Sequence, residues 1–512
     1  MRRPGIHALI ACAAVSTAIL AGCGGGDDGG GDVDVGPAAA VPANTPIYLD
    51  LTVRPQGAAR SDAEAALGKM LDTDDPGAKL ISLINQEGQK QPAAERFTYE
   101  ADIEPWLGER AAVFFTHLAE ESEGAAVVET TNRDRALAAA RKSESGATER
   151  DYKGTTIYVN PTDRDAFAAV GEFMAFGDEA GVKAAIDANG GDSLGDSDAF
   201  KEALGALPDD RLGTFYTLPR DLLDSLGPGQ IDQSSQALLE KSAGEALDKP
   251  VSGALTASSD SFDLEFVGGE SGVETPESSL LGEVPGQSWL AIGFGDLGEI
   301  AKKTIDQLRD AGIPDFEEGL SQVEQATGSS LEQLTGALGD AALYVEGTTE
   351  PTLTGALVIQ TKDPDLTGRL LDQLQSLVQL GSSGTVRPLQ LSGGTGFQIK
   401  DPGLAPQAVE IAQQNDKLVI GYGANSAART LAPADTLADT PGFSAARGQV
   451  SDLGTDFFLS FPAVFQLAES TGADSDPGYR EAKPYIDALR YLVSGSGEEG
   501  DQTEVKAVLG LK

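Results

Sequence analysis

Short blocks of sequence recur in the same order in the two halves of the chain, and this repetition constrains the fold more than any other feature. The blocks match in four pairs, which are Val41–Leu49 with Val284–Leu290, Trp106–Val113 with Ala337–Leu343, Gly124–Thr130 with Gly355–Thr361, and Leu212–Tyr216 with Leu453–Phe458. Four matches in one order are hard to obtain by chance. The sequence therefore predicts two tandem homologous modules, 41–270 and 280–512, joined by a linker over 271–279.

The hydrophobic pattern within each module predicts a mixture of strands and helices. Ile47–Val53 alternates with the period of a strand, whereas Ser61–Met70 has apolar residues three and four apart, as in a helix. Ala111–Thr116 and Ala125–Thr130 flank a short acidic loop and predict a β-hairpin. Hairpins between helices favour an α+β fold, with a largely antiparallel sheet in each module and helices on one face of it.

Residues 1–22 have the order of a secretory signal peptide. Arg2 and Arg3 precede an uncharged apolar run that is too short to span a bilayer. The run ends in Leu20-Ala21-Gly22-Cys23, which resembles the bacterial lipobox. That resemblance implies cleavage between Gly22 and Cys23 and a diacylglyceryl group on the Cys23 thiol. We therefore expect an extracytoplasmic lipoprotein that is anchored to the cell membrane by this lipid.

Residues 23–40 are predicted to form a flexible linker behind the lipidated cysteine. Glycine and aspartate dominate the beginning of this segment and bury little apolar surface. As a random coil, residues 24–40 would span about 20–25 Å. Each buried methylene group of the lipid contributes about 0.8 kcal/mol, so two acyl chains give stable anchoring. The body is expected to stay close to the membrane without embedding in it.

The chain is strongly acidic, which limits the partners it can bind through charge. It has 37 Lys and Arg against 80 Asp and Glu, a net charge of −43, and cleavage before Cys23 would remove two more arginines and leave −45. Nucleic acids and anionic lipid head groups are bound by basic surfaces. We therefore expect no nucleic-acid partner, and a membrane contact only through the lipid on Cys23.

Reactive side chains are scarce. The only cysteines are Cys12 and Cys23, and the only histidines are His7 and His117. A mature chain would contain no disulfide and no free thiolate, and only His117 could serve a catalytic triad. His117 closes a predicted strand, so we interpret it as a polar residue at a strand end. We expect no catalytic residue, no cofactor and no metal site.

One motif resembles a nucleotide-binding fingerprint. Gly293–Gly298 matches GxGxxG between a predicted strand and a predicted helix, as such a site requires. However, the chain has 62 glycines, and Gly495–Gly500 is a second match in a predicted loop. We therefore interpret both as chance matches.

The abundant carboxylates suggest two further sites that fail on closer inspection. Asp72–Gly77 begins like a calcium-binding loop but has Leu83 where a bidentate glutamate is needed, so we predict turn and helix-cap chemistry there. Asp102 and Glu104 beside Trp106 could suggest a glycosidase pair. Close carboxylate pairs are unavoidable among 80 acidic residues, so this pair carries almost no information.

Three segments resemble a known protein family. They are the opening Val41–Tyr48, the segment Asp75–Leu80 and the block Trp106–Gly108. They resemble an uncharacterised family of secreted bacterial proteins that is defined only as a domain of unknown function. The resemblance covers most of the mature chain and implies neither an activity nor site residues.

Two classes of binding function are compatible with these features. The lack of a nucleophile pair or a metal cluster favours a non-enzymatic binding or interaction protein of the cell envelope. The alternative is a carrier of lipid or another amphiphile, because a large antiparallel sheet with helices can enclose an apolar cavity. A carboxylate-dependent hydrolase is a third, weaker alternative. The ligand, the protein partner and the oligomeric state stay open.

Overall fold

A computed structural model describes the chain at residues 34–118, 122–162, 164–226, 236, 239–240, 244–269, 277–313, 315–381, 384–403, 405–499 and 502–512. The chain divides into two compact units, unit 1 at residues 1–270 and unit 2 at residues 271–512. The predicted signal peptide, its cleavage point at Gly22 and the lipid site at Cys23 lie outside the described residues.

Ten strands and six helices make up the described part of unit 1. The strands are β1 Ile47–Thr52, β2 Leu107–His117, β3 Glu123–Thr130, β4 Thr148–Tyr152, β5 Thr155–Val159, β6 Asp165–Val170, β7 Phe173–Asp178, β8 Gly213–Thr217, β9 Val251–Ser258 and β10 Ser261–Gly268. The helices are α1 Gly57–Leu71, α2 Pro76–Lys90, α3 Arg133–Ser143, α4 Glu179–Asn189, α5 Asp198–Gly205 and α6 Pro219–Asp224. Every pair of neighbouring strands is antiparallel, in the order β10-β9-β8-β1-β2-β3-β7-β6-β5-β4.

The sheet of unit 1 has two apolar faces because strands such as β6 and β7 carry buried apolar residues at successive positions. On one side, which we call the Tyr48 face, Tyr48 packs with residues of α4 and α5 such as Val182 and Phe200. The other side, the Leu49 face, carries a second cluster that includes Ile84 of α2. Successive side chains of a strand point to opposite faces. A run such as Phe173–Asp178 therefore has to be covered on both sides.

The described part of unit 2 contains ten strands and eight helices. The strands are β11 Ser288–Phe294, β12 Leu338–Glu346, β13 Thr354–Thr361, β14 Thr385–Pro388, β15 Thr395–Lys400, β16 Val409–Gln414, β17 Lys417–Tyr422, β18 Gly454–Ser460, β19 Leu489–Glu499 and β20 Gln502–Leu511. The helices are α7 Leu297–Ala311, α8 Phe316–Thr327, α9 Leu331–Gly336, α10 Pro364–Gly381, α11 Ser426–Leu431, α12 Pro441–Arg447, α13 Phe461–Ser470 and α14 Pro477–Ile486. The antiparallel pairs run in the order β20-β19-β18-β11-β12-β13-β17-β16-β15-β14.

Unit 2 also buries apolar residues on both faces of its strands. On the Ala291 face, Ala291 packs with Tyr344 and with Phe443 of α12. On the opposite Ile292 face, Leu371 of α10 covers Phe397 and its neighbours.

The predicted fold class is wrong in two respects. The sequence predicts two homologous modules with a sheet each, whereas the twenty described strands belong to one antiparallel sheet with flanking helices. The prediction of helices on one face is also wrong, because α2 and α4 of unit 1 pack on opposite faces. The physical reason is the two-sided apolar pattern of strands such as Asp165–Val170, in which five successive residues are buried.

The predicted linkers are shorter than expected. Residues Gly36–Ala40 form a 3-10 helix with Pro37 in its first turn, and its Ala38 and Ala40 are fully buried in the core of the Tyr48 face. Ser278, at the end of the second predicted linker, is also buried and donates a hydrogen bond to the Ala341 carbonyl at 2.8 Å. The described ends of the two predicted linkers, residues 36–40 and 277–279, therefore belong to the folded units that follow them. Among the described residues, no helix combines the length and the apolar character that a membrane span requires.

Candidate functional site: an apolar cavity

A cavity of about 370 Å³ lies on the Leu49 face of unit 1. Every lining residue belongs to β1, β2, β3, β8, β9 or β10, which are six neighbouring strands of the sheet. The lining residues on that face are apolar, and those with side chains are Leu49, Leu51, Ala111, Val113, Phe115, Ala126, Val128, Phe215, Leu255, Leu264 and Phe266. The cavity therefore presents hydrocarbon surface over nearly its whole wall.

Helices cover the two flanks of the cavity and leave its middle uncovered. Ala63 of α1 packs against Leu212, with Leu255 beside them, at one flank. The cluster around Ile84 covers the flank that includes Val128. Between these clusters, the side chain of Leu49 is 43% exposed. Leu264 is 44% exposed. Large apolar side chains at this exposure mark the opening through which a ligand would enter.

Two glycines create room in the wall of the cavity. A Cβ atom on Gly213 would lie 2.8 Å from Leu51 Cδ2, and a Cβ atom on Gly253 would lie 2.6 Å from Phe266 Cδ1. Both distances are too short for real contacts, so any side chain at Gly253 would displace the Phe266 ring. That ring makes an edge-to-face contact with Phe215, with the centroids 5.9 Å apart. The aromatic pair forms one end of the cavity.

A buried ionic network lies directly behind the cavity, on the Tyr48 face of β1. Arg110 Nη2 donates to Asp50 Oδ2 at 2.5 Å, and the Tyr48 hydroxyl donates to the same oxygen at 2.9 Å. Asp50 is only 3% exposed. Burial raises the pKa of the Tyr48 hydroxyl well above its usual value, and the Asp50 charge raises it further. Burial lowers the pKa of the Arg110 guanidinium, but Asp50, Tyr48 and Asp34 together outweigh this effect and the net shift is upward.

This network keeps polar groups out of the cavity. Asp50 and Thr214 are the polar residues of the lining, and their side chains belong to the Tyr48 face. The Asp50 carboxylate is held by Arg110, and Thr214 Oγ1 accepts a hydrogen bond from Arg211 Nε at 3.2 Å. The site is therefore suited to an apolar ligand and offers no positioned acid, base or nucleophile from its lining residues.

The structure places His117 away from the middle of the cavity. It is the last residue of β2, as the sequence predicts, and it lies opposite Glu123 of β3. Phe115, two residues before it, lines the cavity. The prediction that His117 is not catalytic stays a prediction.

The glycine-rich motif Gly293–Gly298 occupies the turn from β11 to α7. The sheet at this turn is antiparallel, which differs from the parallel sheet of a dinucleotide-binding fold. Gly298 is required by packing, since an added Cβ atom would collide with the Thr335 carbonyl and lie 2.8 Å from the Leu338 carbonyl oxygen. Asp296 caps α7 by accepting from the Glu299 amide at 3.3 Å. These contacts give the motif a structural role.

The other carboxylates singled out from the sequence also have structural partners. Asp75 Oδ1 accepts from the Ala78 amide at 2.8 Å and caps α2, which confirms the predicted helix cap. Asp102 binds Lys142 Nζ at 2.6 Å, and its carbonyl accepts from Trp106 Nε1 at 2.6 Å. Trp106 is only 2% exposed and belongs to the core. Within the described ranges, no three His, Cys, Asp or Glu side chains are grouped as metal ligands.

Sequence reasoning missed the cavity residues. In β1 the pattern Tyr48-Leu49-Asp50-Leu51 suggests that the leucines face the core and the aspartate faces water. The structure has the opposite arrangement, because Arg110 neutralises Asp50 inside the core. The sequence signal for the site is that β1, β2 and β8 have apolar residues on both of their faces.

Comparisons with known proteins place the chain in a family without assigning an activity. A family model described as "Protein of unknown function (DUF3352)" matches residues 9–511. No curated protein matches the chain. Crystal forms I and IV of TP0453 each align with 78% of this chain and 97% of their own, at 9% identity and a TM-score of 0.17.

Proposed function

The chain belongs to the DUF3352 family of proteins of unknown function, and we propose that unit 1 binds the acyl chain of an amphiphile in its apolar cavity. The observation that carries this proposal is the cavity itself. Apolar side chains line it, its polar neighbours are engaged on the other face, and two of its leucines are more than 40% exposed. Leaving such a surface in water is unfavourable by about 25 cal/mol for each Å². Filling it with hydrocarbon removes that cost.

The dimensions favour one acyl chain. Ligand cavities range from about 300 to about 1,000 Å³, and the volume of about 370 Å³ lies near the lower limit. The wall carries no free hydrogen-bond donor from its lining side chains for a head group. The polar end of the ligand would therefore stay in water near Leu49 and Leu264, while the chain enters the cavity. Lipids with two chains would bind less well.

The proposed location is the outer side of a cell membrane. The order of residues 1–23 supports export, cleavage before Cys23 and a lipid anchor on its thiol. Since Ala38 and Ala40 are already part of the core, only residues 24–33 separate the anchor from the first described residue. A carrier tethered in this way could exchange amphiphiles with the membrane surface without chemistry of its own.

Binding is tested directly with parinaric acid, a naturally fluorescent fatty acid. The protein is the full chain from residue 23 with Cys23→Ser, so that no covalent acyl chain can occupy the cavity. We expect saturable fluorescence enhancement, and we expect Leu264→Glu to weaken binding at least tenfold, since it places a charge at the opening. Leu264 is 44% exposed, so the substitution spares the core. The matched control is Leu83→Glu on α2, where the leucine is 40% exposed and lies outside the cavity.

The dependence on chain length separates a cavity from a flat apolar patch. Each methylene group buried contributes about 0.8 kcal/mol, which corresponds to about a fourfold change in affinity. Competition by saturated fatty acids should therefore strengthen about fourfold for each added methylene until the cavity is full, and then level off. Unchanged binding by Leu264→Glu, or no dependence on chain length, would contradict the proposal.

Mass spectrometry of protein purified from its natural host tests the anchor, since a mature chain without acyl mass would exclude it.

A further inference from the structure

The Ile292 face of unit 2 repeats the arrangement that surrounds the cavity in unit 1. Leu49 of β1 lies between Val113 of β2 and Phe215 of β8. Ile292 of β11 lies in the same way between Leu343 of β12 and Phe457 of β18. Further apolar residues of this face on the same strands and on β13, β19 and β20 include Leu290, Phe294, Ala341, Val345, Leu357, Ile359, Leu459, Leu492, Val505, Ala507 and Leu509.

Most of these side chains are not closed off from water, although Ala341 and Ile359 are buried. On the Ala291 face of the same strands, Ala291, Tyr344 and Val493 are all 0% exposed. On the Ile292 face, Phe294 is 38% exposed, and Ile292, Leu343, Phe457 and Leu492 are only half-buried. A close-packed core would bury such large apolar groups. In this region the sheet therefore has one closely packed apolar face, and its other apolar face is incompletely covered.

The Ile292 face carries smaller side chains than the Leu49 face at one pair of positions. In unit 1 the Phe266 ring fills the space above Gly253, its partner across the strands. The pair at the same place in unit 2 is Ala507 and Ser494. Alanine and serine are smaller than the phenylalanine that stands there in unit 1. An occupant of this face could therefore be bulkier than a single chain.

Two apolar helices pack against these strands and are themselves incompletely buried. Helix α13 packs against β11 and β19, and its Phe461, Phe465 and Leu467 are all half-buried. Helix α7 packs against β12, and its Ile300, Ile305 and Leu308 are half-buried as well. Apolar groups on a sheet and on two adjoining helices thus all retain contact with water. The natural complement of such a recessed surface is hydrocarbon.

We infer that the Ile292 face of unit 2 is a second acyl-chain site, wider than the cavity of unit 1. The inference rests on the proposed function, since it assigns the same class of ligand. A second copy of the chain suits the face less well. The net charge of −43 opposes self-association, and half-buried side chains are recessed from a flat partner surface. An acyl chain is narrow enough to reach these half-buried side chains.

The number of bound chains tests the inference. Native mass spectrometry and parinaric acid titration of the Cys23→Ser chain from residue 23 should give at least two ligands per protein. Leu264→Glu should remove the ligand of unit 1 and leave the others. Phe294→Glu should remove the ligands of unit 2 and leave one. Val505→Glu, on β20 where the side chain is 36% exposed, is a second variant in case Phe294→Glu does not fold. Leu380→Glu, at an 87% exposed position on α10, is the matched control.

The outcomes separate the two proposals. If Leu264→Glu abolishes all binding, the site in unit 2 does not exist while the proposed function of unit 1 stands. If Phe294→Glu and Val505→Glu abolish all binding, unit 2 holds the ligand and the proposed site in unit 1 fails. If the wild type is a dimer by light scattering and Phe294→Glu converts it to a monomer without loss of ligand, the face is a self-association surface and the inference is overturned.

Discussion

Units 1 and 2 pair their ten described strands in the same order but fill the centre of the Tyr48 and Ala291 faces differently. In unit 1 the first strand carries Asp50, which is paired with Arg110 at 2.5 Å. The corresponding position in unit 2 is Gly293, since Asp50 lies opposite Ala112 and Gly293 lies opposite Ala342. A Cβ atom on Gly293 would lie 3.0 Å from Ser278 Cβ and 3.3 Å from Leu281 Cβ. An ion pair in one unit thus corresponds to close apolar packing in the other.

The arginine of this pair comes from an irregularity in the second strand. The regular pairing of β2 is interrupted between Leu107 and Ala111, and that of β12 between Leu338 and Ala341. The interruption in β2 is longer by one residue, and Arg110 lies within it. Bulges of this kind redirect a side chain at the cost of local pairing. One extra residue in a bulge is therefore sufficient to supply a cation for a buried carboxylate on the neighbouring strand.

The largest effect is expected from breaking this ion pair on one side only. Arg110→Met leaves the 3% exposed Asp50 carboxylate without its cation, and such a loss costs about 3–5 kcal/mol of unfolding free energy. Urea denaturation followed by circular dichroism measures it. The control is Arg141→Met, which breaks an ion pair with Glu149 whose two side chains are 58% and 57% exposed and which should cost less than about 1 kcal/mol.

A double variant makes the position of Asp50 uncharged, like that of Gly293 in unit 2. Asp50→Asn combined with Arg110→Met removes the buried charge together with its partner, so we expect it to be more stable than Arg110→Met alone. Unit 2 shows that this position is compatible with no charge at all. If Arg110→Met denatured like Arg141→Met, or if the double variant were the least stable of all, the account of the ion pair would be wrong.

The second effect concerns the turn from the first strand to the first helix of each unit. Gly57 at the start of α1 has φ +58° and open space around it, whereas Gly298 in α7 lies against the backbone of Thr335 and Leu338. Gly298→Ala should therefore cost about 1–3 kcal/mol through overpacking. The control is Gly319→Ala in α8, where an added Cβ atom meets nothing within 4 Å and helix propensity predicts a gain of about 1 kcal/mol. Equal stability of the two variants would remove the packing explanation for this motif.

Local patterns predicted the elements of the fold better than they predicted its layers. The strand expected at Ile47–Val53 is observed at Ile47–Thr52, and the helix expected at Ser61–Met70 lies within α1. Both depend on periodicity over a few residues, which the sequence displays. The predicted sheet and helix layers were wrong because covering a face depends on residues far along the chain.

The candidate site could not be predicted from the sequence either, because it too depends on residues that are far apart along the chain. Asp50 and Arg110 are 60 residues apart in the sequence, and no local pattern predicts their contact. Without it, Asp50 would be assigned to water and Leu49 to the core, which inverts the two faces of β1. The lining of the cavity combines six strands between Leu49 and Phe266, so only their pairing brings it together.

The smallest effect concerns Glu346, a buried carboxylate of unit 2 at a position where unit 1 has a neutral residue. Glu346 of β12 is 1% exposed and pairs with Arg429 Nη2 at 2.6 Å, while the corresponding residue of β2 is the neutral Thr116. Burial raises the pKa of Glu346 above its usual 4.5, and Arg429 offsets only part of this shift. The folded state therefore binds the proton more tightly than the unfolded state does. The contribution of Glu346 to stability therefore falls as the pH rises above about 4.5, until the carboxyl group is also ionised in the folded state.

Glu346→Gln tests this sign, because it removes the titrating group while Arg429, which is 48% exposed, can be hydrated. Urea midpoints between pH about 4 and about 7 should decline less with rising pH in the variant than in the wild type. Asp439→Asn is the opposite comparison, since hydrogen bonds from Thr436 lower the pKa of Asp439 and its contribution is lost as the pH falls. The two substitutions should therefore change the pH slope in opposite directions. A steeper decline in Glu346→Gln would mean that Arg429 stabilises the charged carboxylate by more than burial disfavours it, and unit 2 would then contain an ion pair of the same kind as Asp50 and Arg110.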